Sequence, residues 1–362
     1  MGFFSTLLAK LTGADAARKP ATRKHDPVFW TASPHDTPVA TFDPPGSERR
    51  TAFLRIDDAP SRWWAPVGVT RTEPAELPAR ELTAEARALE NLLISHFDGH
   101  DLTLPPLLNG AERVLVKLRD PKCNYHDVAA IVAEDPVIAA AVLRVANSAL
   151  YRGLQKITSL PAALNRLGFN TLRTLMLRES LRAAMFDRRG AADNFAGLIW
   201  KRSLACATIM QGLSRFTKVP PDDAFLYGLL HDIGNVVVLR IIHDRAASTT
   251  LELDTETFEY LCSVCHQEFG ELIADAWKLP SDLKALIADH HTHPEDDELR
   301  QVERLQLLLA DMITSLLGYA PGEPFLLLES RVTRALELAH RSDFISFLEG
   351  LPEELEDVLG TA

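Results

Sequence analysis

Ala224-Phe225-Leu226-Tyr227-Gly228-Leu229-Leu230-His231-Asp232-Ile233-Gly234 is an apolar run that closes on a histidine–aspartate pair, with a glycine two residues later. The apolar residues predict a helix and the glycine its break. Imidazole nitrogen and carboxylate oxygen are the ligands that divalent metals take at hard-to-borderline sites. Further candidates follow in order: His266, adjacent His290 and His291, and Asp311 inside the apolar run Leu305 to Leu317. One His-Asp pair at a helix end reads as a cap; an ordered series spread over several helical segments could line one bundle pocket.

Outward from that run the pattern is helical. Leu82, Ala86, Leu89, Leu93 and Phe97 form one stripe, and Asp135-Pro136 reads as an N-cap followed by proline at the first helical position. Ser159 opens a short helix that Gly168 ends, Asn170 opens the next, and Pro220-Pro221-Asp222 opens the helix that delivers the pair. Helices are expected over Thr255–Trp277, Ser281–His291 and Glu298–Leu317. No convincing strand alternation interrupts them. The fold class is therefore an all-α multi-helix bundle, placed at 81–300, with an acidic helical extension over 301–362. Ahead of it, Phe3, Phe4, Leu7, Leu8 and Leu11 predict a short amphipathic helix over 1–11. Residues 12–80 hold ten of the 22 prolines and read as an irregular arm, with a possible short strand at 51–56. Trp63-Trp64 is expected to tuck against the main domain, since exposed tryptophan pairs are unfavourable.

The ordered series resembles the HD superfamily of metal-dependent phosphohydrolases, and the surrounding blocks narrow the resemblance to the HDOD family, the HD-related output domain. Those blocks are Leu104-Pro105-Pro106, Val128 to Pro136, Leu143 to Ser148, Ile157 to Leu160, Ala163 to Gly168, and Trp277-Lys278-Leu279-Pro280 before the histidine pair. They cover roughly residues 100–300. The resemblance implies a signalling or regulatory module whose relatives have often lost the enzyme's ligands. It also implies a metal set of His231, Asp232, His266, His290, His291 and Asp311, with Asp232 catalytic if the site is live. Against the active pattern, Arg202 aligns with the first ligand histidine of HD enzymes. Arginine has no lone pair to give and stays protonated. The Gly-Tyr-Pro element of the cyclic-dinucleotide phosphodiesterase branch is absent. Arg202 is expected beside the pocket, paired with Asp232 or Asp311.

Composition bounds the rest. The chain has 362 residues, 46% of them hydrophobic, and a net charge of −12, which argues against wholesale binding of nucleic acid or an anionic membrane. No DNA partner is expected. Apolar runs are read as too short to span a bilayer. Four cysteines without framework spacing suit a reducing, cytoplasmic setting. Cys262-Ser263-Val264-Cys265-His266 has the haem c attachment letters, but no export signal accompanies them and no haem is expected. His243-Asp244 reads as a helix end at the surface. Between Arg144 and Arg189 stand nine basic residues against two acidic ones. Arg166, Arg173, Arg178 and Arg182 are the candidate face for an anionic partner there, or else a solvated face.

The resemblance therefore implies a regulatory module acting on other signalling proteins through protein contacts; the residues alone give an all-α protein with an incomplete metal site, which leaves enzyme activity open and leans against it. The alternatives are a divergent metal phosphohydrolase acting on a nucleotide or cyclic dinucleotide, and a sensor that binds a nucleotide second messenger without hydrolysing it. No cofactor is expected; a pocket that did hold one would take a divalent Fe, Mn, Mg or Zn ion.

Overall fold

The computed structural model describes residues 63–66, 69–74, 82–98, 102–148, 151, 156–186, 193–246, 253–291, 301–322 and 324–360. The expected helix over 1–11, the strand at 51–56 and most of the proline-rich arm lie outside those residues. The described residues are helical and contain no strand. The helices are α1 (Ala84–Asp98), α2 (Asn109–Lys117), α3 (Tyr125–Ala133), α4 (Pro136–Ala146), α5 (Leu160–Phe186), α6 (Asp193–Leu213) and α7 (Pro221–Leu230). Then come α8 (Asn235–Ala246), α9 (Thr255–Ala276), α10 (Ser281–Asp289), α11 (Val302–Leu316), α12 (Arg331–Ala335) and α13 (Ser342–Gly360).

Local chemistry sets the helix starts. Asp135 accepts from the backbone N–H of Val137 and Ile138, and Pro136 stands first in the helix. Asn124 caps α3 and Asp254 caps α9 in the same way. Asp222 and Asp223 sit in the first turn of α7, where the helix dipole favours carboxylates. Gly168 interrupts α5 with φ 77°, a left-handed conformation that costs glycine nothing.

That break divides the packing. The half of α5 before and just after Gly168 joins α2, α3 and α4 in a small core around Val114, Val128, Ile138, Val142 and Leu172. From Leu177 onward α5 enters the main core, which α6 to α11 build. The blocks quoted from the sequence stitch the two cores. The Trp277 indole donates to the Pro105 carbonyl at 2.8 Å, and Arg119 donates to the Lys278 carbonyl at 3.0 Å. Asn147 clamps the loop after α4, donating to Leu143 and Ile157 and accepting from the Ile157 N–H.

The C-terminal helices belong to the main core. Phe344, Leu348, Leu351 and Leu355 of α13 are buried, and the Phe347 ring lies where a Cβ on Gly212 of α6 would stand. Trp63 and Trp64 are buried edge-to-face at 5.5 Å. The Trp64 carbonyl accepts from Leu327 and the Arg71 carbonyl from Leu326.

Two expectations need correcting. Pro221–Ala246 is long and apolar enough to cross a membrane by length and composition, contrary to the reading that no apolar run was. It is instead a mostly buried core stretch, broken by the His231–Gly234 turn. His243 is not a surface residue: α8 is buried on nearly every side, and His243 is buried with it.

Candidate metal and ion-pair pocket

The pocket forms where the turn between α7 and α8 meets α9. His231 follows the last residue of α7, and Asp232 lies in the four-residue turn before Asn235. Gly234 permits the approach: a Cβ there would fall 1.8 Å from the His266 carbonyl oxygen. Gly228 does the same one turn earlier, its missing Cβ lying 2.8 Å from the Ala207 Cα and the Cys206 oxygen of α6. The turn thus sits against α6 and α9 at backbone contact. His266 comes from α9, His290 and His291 from the turn after α10, Asp311 from α11 and Arg202 from α6.

These side chains do converge. Asp232, His266, His290 and His291 each offer a ligand atom, all within 4.8 Å of one another. His290 Nε2 lies 3.1 Å from Asp232 Oδ1 and 3.2 Å from His266 Nε2. His266 Nε2 lies 3.5 Å from Asp232 Oδ1, and 2.9 Å from His291 Nε2. His231 Nε2 stands 3.5 Å from Asp232 Oδ2 and 3.9 Å from Asp311 Oδ1.

Arg202 fills the other side. Its Nε is 3.2 Å from Asp232 Oδ2, its Nη1 3.4 Å from Glu259 Oε2 and its Nη2 3.7 Å from Asp311 Oδ1. Only the Glu259 contact has hydrogen-bond geometry. Glu259 was missed in the sequence. It lies seven residues before His266 on α9, so two helical turns put both on one face, and that spacing was the available signal. All but the partly buried Glu259 are withdrawn from solvent; Asp232 is 1% exposed, Arg202 6% and Asp311 9%.

Backbone carbonyls fix the histidine tautomers. The Nδ1 atoms of His231, His266 and His290 lie 2.8, 2.8 and 3.0 Å from the carbonyls of Gly228, Cys262 and Ile287. A carbonyl can only accept, so each Nδ1 carries a proton and each ring turns its Nε2 into the pocket. His266 Nε2, His290 Nε2 and Asp232 Oδ1 are then in mutual contact. Such a group needs a proton on one ring or a cation in its midst. The spacing suits a cation: ligands about 2.1 Å from one ion lie roughly 3.0–3.4 Å apart at octahedral or tetrahedral angles. Carbonyl-anchored Nδ1 atoms are also the usual outer support of metal-ligating histidines.

Electrostatics follow from burial. Burial alone would lower the Arg202 pKa, but Asp232, Asp311 and Glu259 reverse this and raise it. Burial would raise the Asp232 pKa, yet Arg202, then His231 and the His290 hydrogen bond, hold it well below the carboxylate range. Burial pushes Glu259 up, Arg202 opposing it. Burial also lowers His231, His291 and His266, the last to about 3. These histidines are held neutral while one guanidinium faces three carboxyl groups. Burial raises the Cys262 and Cys265 thiols. Neither joins the metal-capable group found among the described residues.

The candidate partner face is less uniform than its sequence. Arg173 pairs with Asp223 at 2.7 Å, beside a Thr171–Asp222 hydrogen bond. Arg166 donates to the Ala146 carbonyl at 3.4 Å. Arg178 lies over the Trp200 ring, and Arg182 is exposed.

Comparison with known proteins agrees with this fold. The chain is similar to a crystal structure of an HDOD domain protein of unknown function from Geobacter sulfurreducens, with TM-score 0.58, 22% identity, and 76% and 97% of the two chains covered. It is also similar to a candidate metal-dependent phosphohydrolase from Shewanella amazonensis, with TM-score 0.61, 20% identity, and 76% and 100% covered. An uncharacterized protein of Treponema pallidum is 22% identical over 204 residues, 54% of this chain and 39% of that protein. The chain thus spans about two fifths of that relative's length. The HDOD domain matches residues 104–293, more than half of the chain, and the protein belongs to the HDOD domain family.

Proposed function

We propose that this protein is a non-hydrolytic, cytoplasmic regulatory module that acts on other signalling proteins through protein contacts. The observation that carries the reading is Arg202, buried and held against Asp232, Glu259 and Asp311. On that side, where a hydrolase would keep a metal to activate water, a fixed positive charge stands. A further fact supports it: Arg202, Asp232 and the four histidines of the pocket are shielded from solvent.

A second reading concerns the opposite side of the same pocket. The meeting of acceptors at Asp232, His266, His290 and His291 favours one divalent cation of the Fe, Mn or Zn type there. Such an ion would neutralise the Asp232 charge that Arg202 shares and tie α9 to the turn after α10. In this reading it supports the fold.

The test is metal analysis of the purified full chain alongside a phosphodiesterase assay. The proposal expects no turnover of nucleotide or cyclic-dinucleotide substrates, with up to one ion per chain. Two ions per chain with turnover would overturn it. Zero ions, unchanged on dialysis against Mn, Fe or Zn, would remove the second reading alone.

A further inference from the structure

The anion-seeking character of the Arg144–Arg189 stretch narrows, in the structure, to one place. Arg173 is consumed by Asp223 and Arg166 turns to a backbone carbonyl. Arg178 and Arg182 stand one turn apart on α5, on the same helix face, and Arg144 on α4 is near enough for its charge to act on Arg178. None of Arg144, Arg178 and Arg182 forms an ion pair with a described residue.

Arg178 is the unusual member. It is half-buried, with its guanidinium 6.0 Å from the Trp200 ring centroid, and its Nε is buried with no hydrogen-bond partner. Burial and the two neighbouring arginines push its pKa down; Glu179 opposes them. Trp200 is 4% exposed, and its indole N–H likewise has no acceptor. Phe186 meets the same indole edge-on at 6.5 Å and is 44% exposed. Donors without acceptors, three like charges met only by the nearby Glu179 with no ion pair formed, and an exposed ring therefore share one spot. In a folded chain buried donors are almost always satisfied. Here the missing element is an acceptor that carries negative charge.

We propose that Arg144, Arg178 and Arg182, gathered beside Trp200 and Phe186, bind the phosphate group of a small phosphorylated ligand. Planar guanidinium groups match the oxygens of a phosphate, and several of them suit a dianion. A long polyanion fits poorly: the chain's net charge of −12 repels it, whereas a small ligand meets only the local field. Phe186 offers a flat apolar surface to whatever the phosphate is attached to. The site lies on α4, α5 and α6 and uses none of the pocket residues, so it stands or falls apart from the metal question.

The experiment is calorimetric titration of the full-length protein at fixed ionic strength with inorganic phosphate, pyrophosphate and a purine nucleoside monophosphate. Saturable binding is expected. Arg144→Gln with Arg182→Gln, both exposed positions, should weaken it at least about tenfold, as loss of charge-assisted bonds does, with an unchanged melting temperature. Arg178→Lys, which keeps charge and loses the fork, should weaken it too. Tighter binding of the nucleotide than of phosphate, lost in Phe186→Ala, would identify a nucleotide; equal binding would identify the phosphate group as sufficient. No saturation by any of the three probes, or binding that the double variant leaves unchanged, overturns the proposal.

Discussion

Replacing Arg202 by methionine should destabilise the protein by about 3–4 kcal/mol at pH 7. Methionine fills much of the volume of the arginine stem, so little cavity is left and the effect is mainly electrostatic. Breaking a buried ion pair from one side costs about 3–5 kcal/mol, because the partner stays buried without a counter-charge. The partners here are Asp232 at 3.2 Å, Glu259 at 3.4 Å and Asp311 at 3.7 Å. The loss has a ceiling. A stranded carboxylate can take up a proton, and from an ordinary pKa near 3.9 that costs about 4 kcal/mol at pH 7. The same ceiling predicts that the penalty shrinks by up to about 1.4 kcal/mol for each unit the pH is lowered toward 5. Urea unfolding followed by circular dichroism at pH 7 and pH 5.5 measures both. At about 2–4 °C per kcal/mol the melting temperature should fall by roughly 6–16 °C. A loss below about 1 kcal/mol, which is what an exposed ion pair gives, would show that Arg202 does not hold the pocket together.

Four other perturbations report on the same region. Arg202→His exchanges a cation for a ligand beside His231, Asp232 and Asp311. It should raise the metal content of protein loaded with Mn or Fe above that of the wild type; equal contents would count against the alignment of α6. His231, His266 and His291 are neutral in the fold and bind protons only when unfolded. Stability should therefore be full above about pH 6.5 and fall as pH drops toward 3, each contributing up to about 1.4 kcal/mol per unit. A urea midpoint flat between pH 7 and 5 would contradict that. Gly234→Ala places a Cβ 1.8 Å from the His266 carbonyl and should cost more than the roughly 1–3 kcal/mol of ordinary overpacking, read as loss of soluble yield or melting temperature. Arg173→Glu sets two acids together at Asp223 and should weaken the α5–α7 contact, visible as faster hydrogen exchange there and not as lost phosphate binding.

Much of this was legible in residue order. The His231-Asp232 turn, the proline and aspartate starts of α4 and α7, and the break at Gly168 follow from local backbone chemistry. Local rules survive whatever packs around them. Non-local facts were not legible. Glu259 belongs to the pocket because α9 presents one face to α6, and the burial of His243 depends on helices far along the chain. The arginine-rich stretch misled in part for the same reason. Charge counted along a sequence ignores Asp223, which lies fifty residues away and takes Arg173 out of play. Net charge marks 301–362 as an acidic extension, while its apolar run Leu305 to Leu317 carries Leu305, Leu308 and Leu309 of α11 into the main core.

Asp311 lies eighteen residues beyond the end of the family match at residue 293, yet it closes the pocket against Arg202. The family match therefore ends short of the unit that folds. A fragment cut to the bounds of that match would lose α11 from its interior and give Arg202 one counter-charge fewer. Work on excised domains of this kind would then report on a wounded protein, and a silent fragment would say little about the intact one.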